Sequence, residues 1–243
     1  LAFVPQEYWN FNAVFRSSAA GDYAAKLFRI NGEKFEISSG KVAEDLSSDI
    51  RSVPGWRVTD IENQPRKRYA PPPFITSTLQ QAASSALGFS ASSTMRIAQQ
   101  LYEGIDIGSG TAGLITYMRT DAVNIADEAR NACREYIREN YGDQYVPAKP
   151  NFFKSKSTAQ AAHEAIRPTD VNRTPESLKE FLDPRQYKLY RLIWQRFVAC
   201  QMAPAEQLRT TVTTAGSARD QYEFRSVATV TTFPGFLRMY NII

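Results

Sequence analysis

The run Gln64-Pro65-Arg66-Lys67-Arg68-Tyr69-Ala70-Pro71-Pro72-Pro73 divides the sequence into two kinds of pattern. Its prolines stiffen the chain into an extended segment and argue for a domain boundary. Before it the sequence reads as strands. Trp9 to Phe15 and Tyr23 to Ile30 alternate loosely and end at the turn formers Gly21-Asp22 and Asn31-Gly32, the latter a hairpin signal, and Trp56 to Ile61 adds a further strand. After it, from Thr76 to about Met202, the pattern turns helical. Beyond Pro204 strands return, in Leu208 to Thr214 and Tyr222 to Val230, both rich in β-branched residues. The order β, α, β predicts an α+β chain. Residues 1–70 and 205–243 form one discontinuous β-rich domain whose flanks pair across the insertion, and residues 71–204 form a mainly helical domain inserted into it.

Within the helical part the expected helices are Thr78 to Leu87, Ser90 or Ala91 to Leu101, and Asn124 to Asn140. The third carries Ile125, Ala129, Cys133, Tyr136 and Ile137 on one stripe and stops before Gly142. A fourth is signposted by Asp183 as cap, Pro184 in first position and Gln186 completing a box; Tyr190, Ile193, Trp194, Phe197, Val198 and Gln201 follow at the helical period.

Composition bounds the function less tightly. The 243 residues hold 29 Lys+Arg against 25 Asp+Glu, one His and two Cys, with 43% apolar residues, so disorder, collagen and coiled coil are excluded. No apolar run approaches the ~18 residues of a membrane helix, and the first residues lack the basic flank of a secretory signal; the expectation is a soluble intracellular protein with no membrane partner. Cys133 and Cys200 stand outside any C-x-x-C pair, and with only His163 beside them they make no four-ligand zinc site. Both read as reduced, buried small residues. The net charge of +4 and pI near 9.0 tilt toward a polyanionic partner.

Three groups of residues can carry chemistry. Gly113 to Asp121 reads as a strand-like segment leading into the helix near Asn124. In extended chain Ile115, Tyr117 and Arg119 project together. A guanidinium can hold a phosphoryl oxygen through paired hydrogen bonds and favours the anionic form of a neighbouring phenol, while a helix N-terminus adds partial positive charge. On spacing alone, a half-buried strand aromatic beside a solvent-facing arginine is the simpler reading. Ala161 to Thr169 reads as a short helix stopped by Pro168, which would set His163 and Arg167 on one face where both can donate to a phosphate; a surface histidine beside a solvated Glu164 fits equally. The third group is basic: Arg66, Lys67 and Arg68, then Lys154 and Lys156, then Arg185, Lys188 and Arg191, with Tyr69, Phe152 and Phe153 adjacent for stacking. A solvated helix face explains the last three equally well. Gly108, Gly110 and Gly113 lack the G-K-[ST] ending of a phosphate loop.

Taken in order, Pro71 to Gln81, Thr94 to Gly104, Leu114 to Asp121 and His163 to Thr169 resemble the bacterial type IA DNA topoisomerases, in their topoisomerase I branch. Thr116-Tyr117-Met118-Arg119-Thr120-Asp121 is the most specific of these matches, and His163-Glu164-Ala165-Ile166-Arg167-Pro168 favours this branch over the topoisomerase III branch. The resemblance implies that Tyr117 is a nucleophile forming a 5'-phosphotyrosine bond with single-stranded DNA. It implies that Arg119 stabilises the attacked phosphate and that His163 contacts the backbone nearby. Arg167 matches with a weaker role and is equally structural; Thr116, Asp121 and Arg68 complete the DNA-contacting set. The bond energy is kept, so no ATP is needed.

The resemblance also implies what should lie elsewhere. Family members carry a Toprim domain whose D-x-D-x-E set binds magnesium, and this sequence contains no D-x-D; no metal ligand is expected in it. The chain is expected to be the arch and tyrosine-bearing part of a larger cytoplasmic, nucleoid-associated bacterial enzyme that relaxes negatively supercoiled DNA. It would need the Toprim and base domains as partners and be inactive alone; the rival expectation is a non-catalytic module that holds single-stranded DNA. Three departures stand out. Ala122 replaces the usual serine, Ala82, Ser85 and Ala86 stand where an acidic and two basic residues are expected, and Ser92-Ser93 replaces another basic pair. Fewer charges there mean weaker, less salt-sensitive DNA binding if those positions face the strand.

Overall fold

A computed structural model describes residues 7–17, 21–153 and 164–240. In chain order its elements are β1 (Asn12–Ser17), β2 (Gly21–Ile30), α1 (Gly40–Ser52), β3 (Arg57–Arg68), α2 (Thr76–Leu87), α3 (Ala91–Glu103), β4 (Ile105–Asp106), β5 (Thr111–Ala112), α4 (Asp127–Tyr141), α5 (Pro184–Gln201), β6 (Ala205–Ser217) and β7 (Gln221–Phe233). They divide into a strand unit, Leu1–Arg66 with Gln207–Thr232, and a helical unit, Lys67–Glu206 with Phe233–Ile243.

The strand unit is built on a five-stranded sheet of order β1-β2-β7-β6-β3, so strands from both ends of the chain share it. β2 runs antiparallel to both β1 and β7. One face buries Ala25, Leu27, Tyr222 and Phe224 with Ala43 and Leu46 of α1. That helix is missing from the sequence reading, which takes the first sixty-odd residues as strand-rich. Ser39 caps it, accepting a hydrogen bond from Val42 N, and the three-residue step from Ala43 to Leu46 gives it a narrow apolar stripe. Four apolar residues among thirteen make a weak signal.

The Asn31-Gly32 turn forms, with φ of 52° and 79°, but it closes only an isolated bridge between Ile30 and Glu33. Asn31 is instead tied to the start of β7: its side chain donates to Asp220 Oδ1 at 2.8 Å and accepts from Gln221 N at 2.8 Å. Pro65, read as part of a stiff linker, lies inside β3. That strand ends the sheet order and is exposed along its whole length, where a missing N–H costs no ladder bond.

In the same unit the Tyr222 hydroxyl donates to Asp49 Oδ2, and Asp220 N adds a longer bond to the same oxygen. The tyrosine bond, then the backbone donors and the Arg219 charge, hold the Asp49 carboxyl below its ordinary value, while burial and the facing carboxylate push the Tyr222 phenol up. A depressed carboxyl stabilises the fold above the unfolded-state value of about 3.9 and loses that contribution as pH falls through the folded-state value. The expected result is that Tyr222→Phe melts below the wild type by a constant margin above about pH 5, and that the margin closes in more acid solution. Melting curves across that range would show a pH-independent margin if the bond were inconsequential.

The helical unit has the larger core. α5 buries ten residues, and two of its aromatic polar atoms find backbone acceptors: Tyr190 donates to Arg173 O at 2.6 Å and Trp194 to Val171 O at 2.9 Å. The expected box is present, with Asp183 accepting from Arg185 N and Gln186 N while Gln186 accepts from Asp183 N. α2 ends at Gly88, whose φ of 69° is the left-handed cap. α4 begins at Asp127 rather than near Asn124 and buries Cys133 and Ile137. Burial pushes the Cys200 thiol up to about 12 and the Cys133 thiol well above its ordinary value, so neither is a thiolate at neutral pH. Gly108 and Gly110 make the turn between β4 and β5, not a phosphate loop.

The sequence reading assigns all of 205–243 to the strands, whereas residues 233–240 pack with the helices. Phe236 is buried in the helical core, the Phe233 ring lies 5.0 Å from that of Tyr145, and Tyr240 accepts a hydrogen bond from Arg196. Gly235 makes this return possible: at φ 48° it passes so close to Pro204 that a Cβ would lie 2.4 Å from the Pro204 carbonyl oxygen.

Candidate active site

Between Thr116 and Ala122 exposure alternates with period two. Tyr117, Arg119 and Asp121 are exposed, while Met118, Thr120 and Ala122 are buried. The backbone bends at Met118 and Arg119 instead of running as the expected strand, and the alternation leaves a phenol, a guanidinium and a carboxylate exposed along one short open edge of the chain. Ile115 does not join them as its parity predicts; it is 1% exposed, because the chain turns inward to make an isolated bridge with Pro168. Ala122 faces the core, with its N–H donating to Thr120 Oγ1. The serine it replaces would therefore be a buried hydroxyl rather than a group beside Tyr117.

Two threonines pin this segment from opposite sides. Thr76, the first residue of α2, donates through Oγ1 to Met118 O at 2.8 Å and accepts from Thr120 N at 2.9 Å, while its own N–H reaches Thr120 O at 2.9 Å. Thr116 donates through Oγ1 to Ala165 O at 2.6 Å and accepts from Arg167 N at 3.0 Å, and its N–H donates to Arg167 O at 2.9 Å. Upstream, Leu114 N donates to Leu101 O at 2.7 Å, and Thr169 Oγ1 donates to Gly113 O at 2.7 Å. The backbone on either side of Tyr117 is thus fixed while its side chain stays free. Its ring is 46% exposed and rests edge-on against Tyr102, with centroids 5.3 Å apart.

These bonds revise the sequence-derived set. The Thr116 hydroxyl is spent inside the protein and serves as a clamp. Arg167 is 11% exposed in its side chain and is turned inward, donating to Glu164 Oε2 at 2.7 Å and to Pro168 O at 3.0 Å; of its two readings, the geometry favours the structural one. Glu164, read as solvated, bridges Arg167 to Ala126 N at 2.6 Å. Ala126 is the N-cap of α4 and has no side chain to cap with; Glu164, from a distant segment, satisfies the backbone N–H of the cap residue itself. The described part of the expected short helix, residues 164–168, is not helical and bridges Phe74 and Ile115. His163, Lys154 and Lys156 lie outside the described residues. Arg68 is exposed at the end of β3. Ser85 and Ala86 are exposed on α2, and Ala82 is half-buried.

Sequence reasoning misses Thr76, Tyr102 and Glu164, although Thr76 and Tyr102 fall inside quoted motifs. Nothing local marks a threonine that bonds a segment more than forty residues away. Two cavities of the helical unit, of about 220 and 240 Å³, are lined by other residues, among them Arg130 with Phe152 and Arg167 with Phe197; Tyr117 and Arg119 line neither. Among the described residues no three His, Cys, Asp or Glu side chains are grouped to hold a metal, and no helix is long and apolar enough to cross a membrane.

A family model described as DNA topoisomerase matches residues 1–242. The chain is 46% identical over 243 residues to DNA topoisomerase 1 of Rickettsia bellii and 44% identical over 247 residues to DNA topoisomerase 1 of Xylella fastidiosa, covering 98% and 99% of this chain. It spans 30% of the length of each of these relatives. The structure of full-length topoisomerase I from Thermotoga maritima matches it with a TM-score of 0.78 at 35% identity, over 99% of this chain and 37% of that one. With nearly every residue matched by the family model and by relatives well above 40% identity, the chain belongs to the bacterial type IA DNA topoisomerases.

Proposed function

We propose that this chain is the arch and tyrosine-bearing part of an enzyme that cuts and rejoins single-stranded DNA, with Tyr117 as nucleophile. The observation that carries this reading is the open edge of Tyr117 and Arg119 on a backbone clamped by Thr76 and Thr116. The Tyr117 phenolic oxygen attacks a backbone phosphorus, the P–O bond to the 3'-oxygen breaks, and the phenolic proton is in net transferred to that oxygen. The products are a 5'-phosphotyrosine and a free 3'-hydroxyl. Reversal by the same hydroxyl restores the strand, and conservation of the phosphoester removes any need for ATP. Arg119 stabilises the non-bridging oxygens as charge builds on them.

The described donor set does not fit a magnesium ion, since Asp121 on this edge belongs to no cluster that could hold one. In this reading magnesium is held by the Toprim domain of the longer enzyme, and no step is routed through it here. The open edge equally leaves water access to Tyr117, which a covering domain would remove.

The test is to incubate the 243-residue chain with a labelled single-stranded oligonucleotide and magnesium, with and without a separately made Toprim-containing piece of a relative. A denaturation-resistant adduct mapped to Tyr117, formed only with the added piece, supports a divided active site. Retained DNA binding with no adduct in either mixture would favour a non-catalytic strand-holding module. In a full-length enzyme, Arg119→Ala is expected to lower the cleavage rate by about 10²–10³ while changing DNA affinity less than about threefold. Equal losses in rate and affinity would demote Arg119 to a docking contact.

A further inference from the structure

The strand unit's sheet carries a cleft of about 440 Å³, lined by Lys26, Leu27 and Phe28 of β2, Arg225 and Val227 of β7, Arg209 and Thr211 of β6, and Glu62, Gln64 and Arg66 of β3, with no residue of α1 among them. Those four strands are neighbours in that order, and each contributes one cation. The four cations Lys26, Arg225, Arg209 and Arg66 therefore gather in one cleft, with Lys26 directly across from Arg225. Glu62 is the single carboxylate in the cleft.

This gathering of charge is costly to the fold as it stands. The register sets Lys26 directly opposite Arg225, and like charges in that relation are destabilising. Among the described residues none of the four cations makes an ion pair. Arg66 is held by the neutral Gln64 Oε1, and the Arg225 guanidinium lies 3.5 Å from the Phe28 ring centre with its buried Nε unpartnered. Phe28 itself sits at the bulge between Leu27 and Arg29, which lifts it out of the ladder and into the cleft. Charges gathered in this way, without internal neutralisation, are complementary to a polyanion.

We propose that this open sheet face is a docking surface for a single DNA strand, separate from the Tyr117 edge; the proposal rests on the DNA-processing reading above. Four cations in one cleft are complementary to the phosphates of a sugar-phosphate backbone. Phe28 and Val227 in the same cleft offer apolar surface to unstacked bases, which a duplex keeps inside its stack. The contact is electrostatic and independent of base sequence. It holds a strand without cutting it.

The test measures binding of a fluorescent oligothymidylate of about 16 nucleotides to the 243-residue chain over a series of salt concentrations. Arg66→Gln with Arg209→Gln, both at surface positions, is expected to weaken binding about tenfold and to lower the salt-dependence slope by about 1.4, the value for two lost single-strand phosphate contacts. Arg66→Lys with Arg209→Lys is expected to restore both, as a charge contact should and a packing role would not. Unchanged affinity and slope in the glutamine variant, with the oligonucleotide still bound, would overturn this surface and leave the Tyr117 reading standing. A duplex of equal length binding as tightly, or polyglutamate competing as well as DNA, would overturn the choice of a single strand. No binding by the wild-type chain would overturn this proposal, while the adduct experiment would still decide the cleavage site.

Discussion

Tyr117→Phe is expected to abolish the covalent DNA adduct to the detection limit in any mixture where the wild type forms one. The phenolic oxygen is the only atom removed, and in the proposed chemistry it becomes the bridging oxygen of the phosphotyrosine. The substitution should otherwise be silent. The hydroxyl makes no hydrogen bond among the described residues, and the ring keeps its edge contact with Tyr102 at 5.3 Å. A stability change within about 0.5 kcal/mol is therefore expected. Denaturing gels and melting curves on the same preparations separate the two effects. An adduct persisting in the variant, or one mapped by mass spectrometry to Tyr102, would move the nucleophile elsewhere.

A second large effect is expected where no chemistry occurs. Gly113 passes the end of α3 so closely that a Cβ would lie 2.7 Å from Tyr102 O, a backbone atom with no freedom to swing away. The strand cannot simply retreat, because Leu114 N is bonded to Leu101 O and Gly113 O accepts from Thr169 Oγ1, each at 2.7 Å. Gly113→Ala is thus expected to cost about 1–3 kcal/mol of stability, which for a protein of this size lowers the melting midpoint by about 2–4 °C per kcal/mol. The same push displaces the segment four residues before the nucleophile. A shift near 1 Å there is expected to slow adduct formation by about 10²-fold in the reconstituted enzyme. Gly55→Ala, where a Cβ meets nothing within 4 Å, is the matched control and should change neither quantity. Wild-type stability and adduct rate in Gly113→Ala would show that the close passage is inconsequential.

Magnitudes also decide which residues were legible before any fold was known. Asp183, Pro184 and Gln186 act within one helical turn, so the cap of α5 and its apolar face could be read directly from the sequence. The β-branched runs that became β6 and β7 were equally local. The Asn31-Gly32 turn formed, yet its sequence could not show that Asn31 would bond to Asp220 and Gln221 instead of starting a hairpin. α1 was hidden for a related reason: its stripe is narrow, and its stability comes from packing on Leu27, Tyr222 and Phe224, which lie far off in sequence.

The site divides along the same line. The amino-acid order alone set Tyr117 and Arg119 at a two-residue spacing, and both stay exposed although the backbone bends at Met118 and Arg119. It also determined the β, α, β succession, because hydrophobic period and turn chemistry are properties of neighbouring residues. Tertiary structure alone decided that Ile115 turns inward, that Thr116 and Arg167 serve as internal struts, that Glu164 caps a helix it does not belong to, and that Lys26 faces Arg225 across the sheet. Each of those outcomes depends on which partner sits opposite a residue. A partner tens or hundreds of positions away is selected by the burial and hydrogen-bond satisfaction of the whole unit, which no local window of sequence contains.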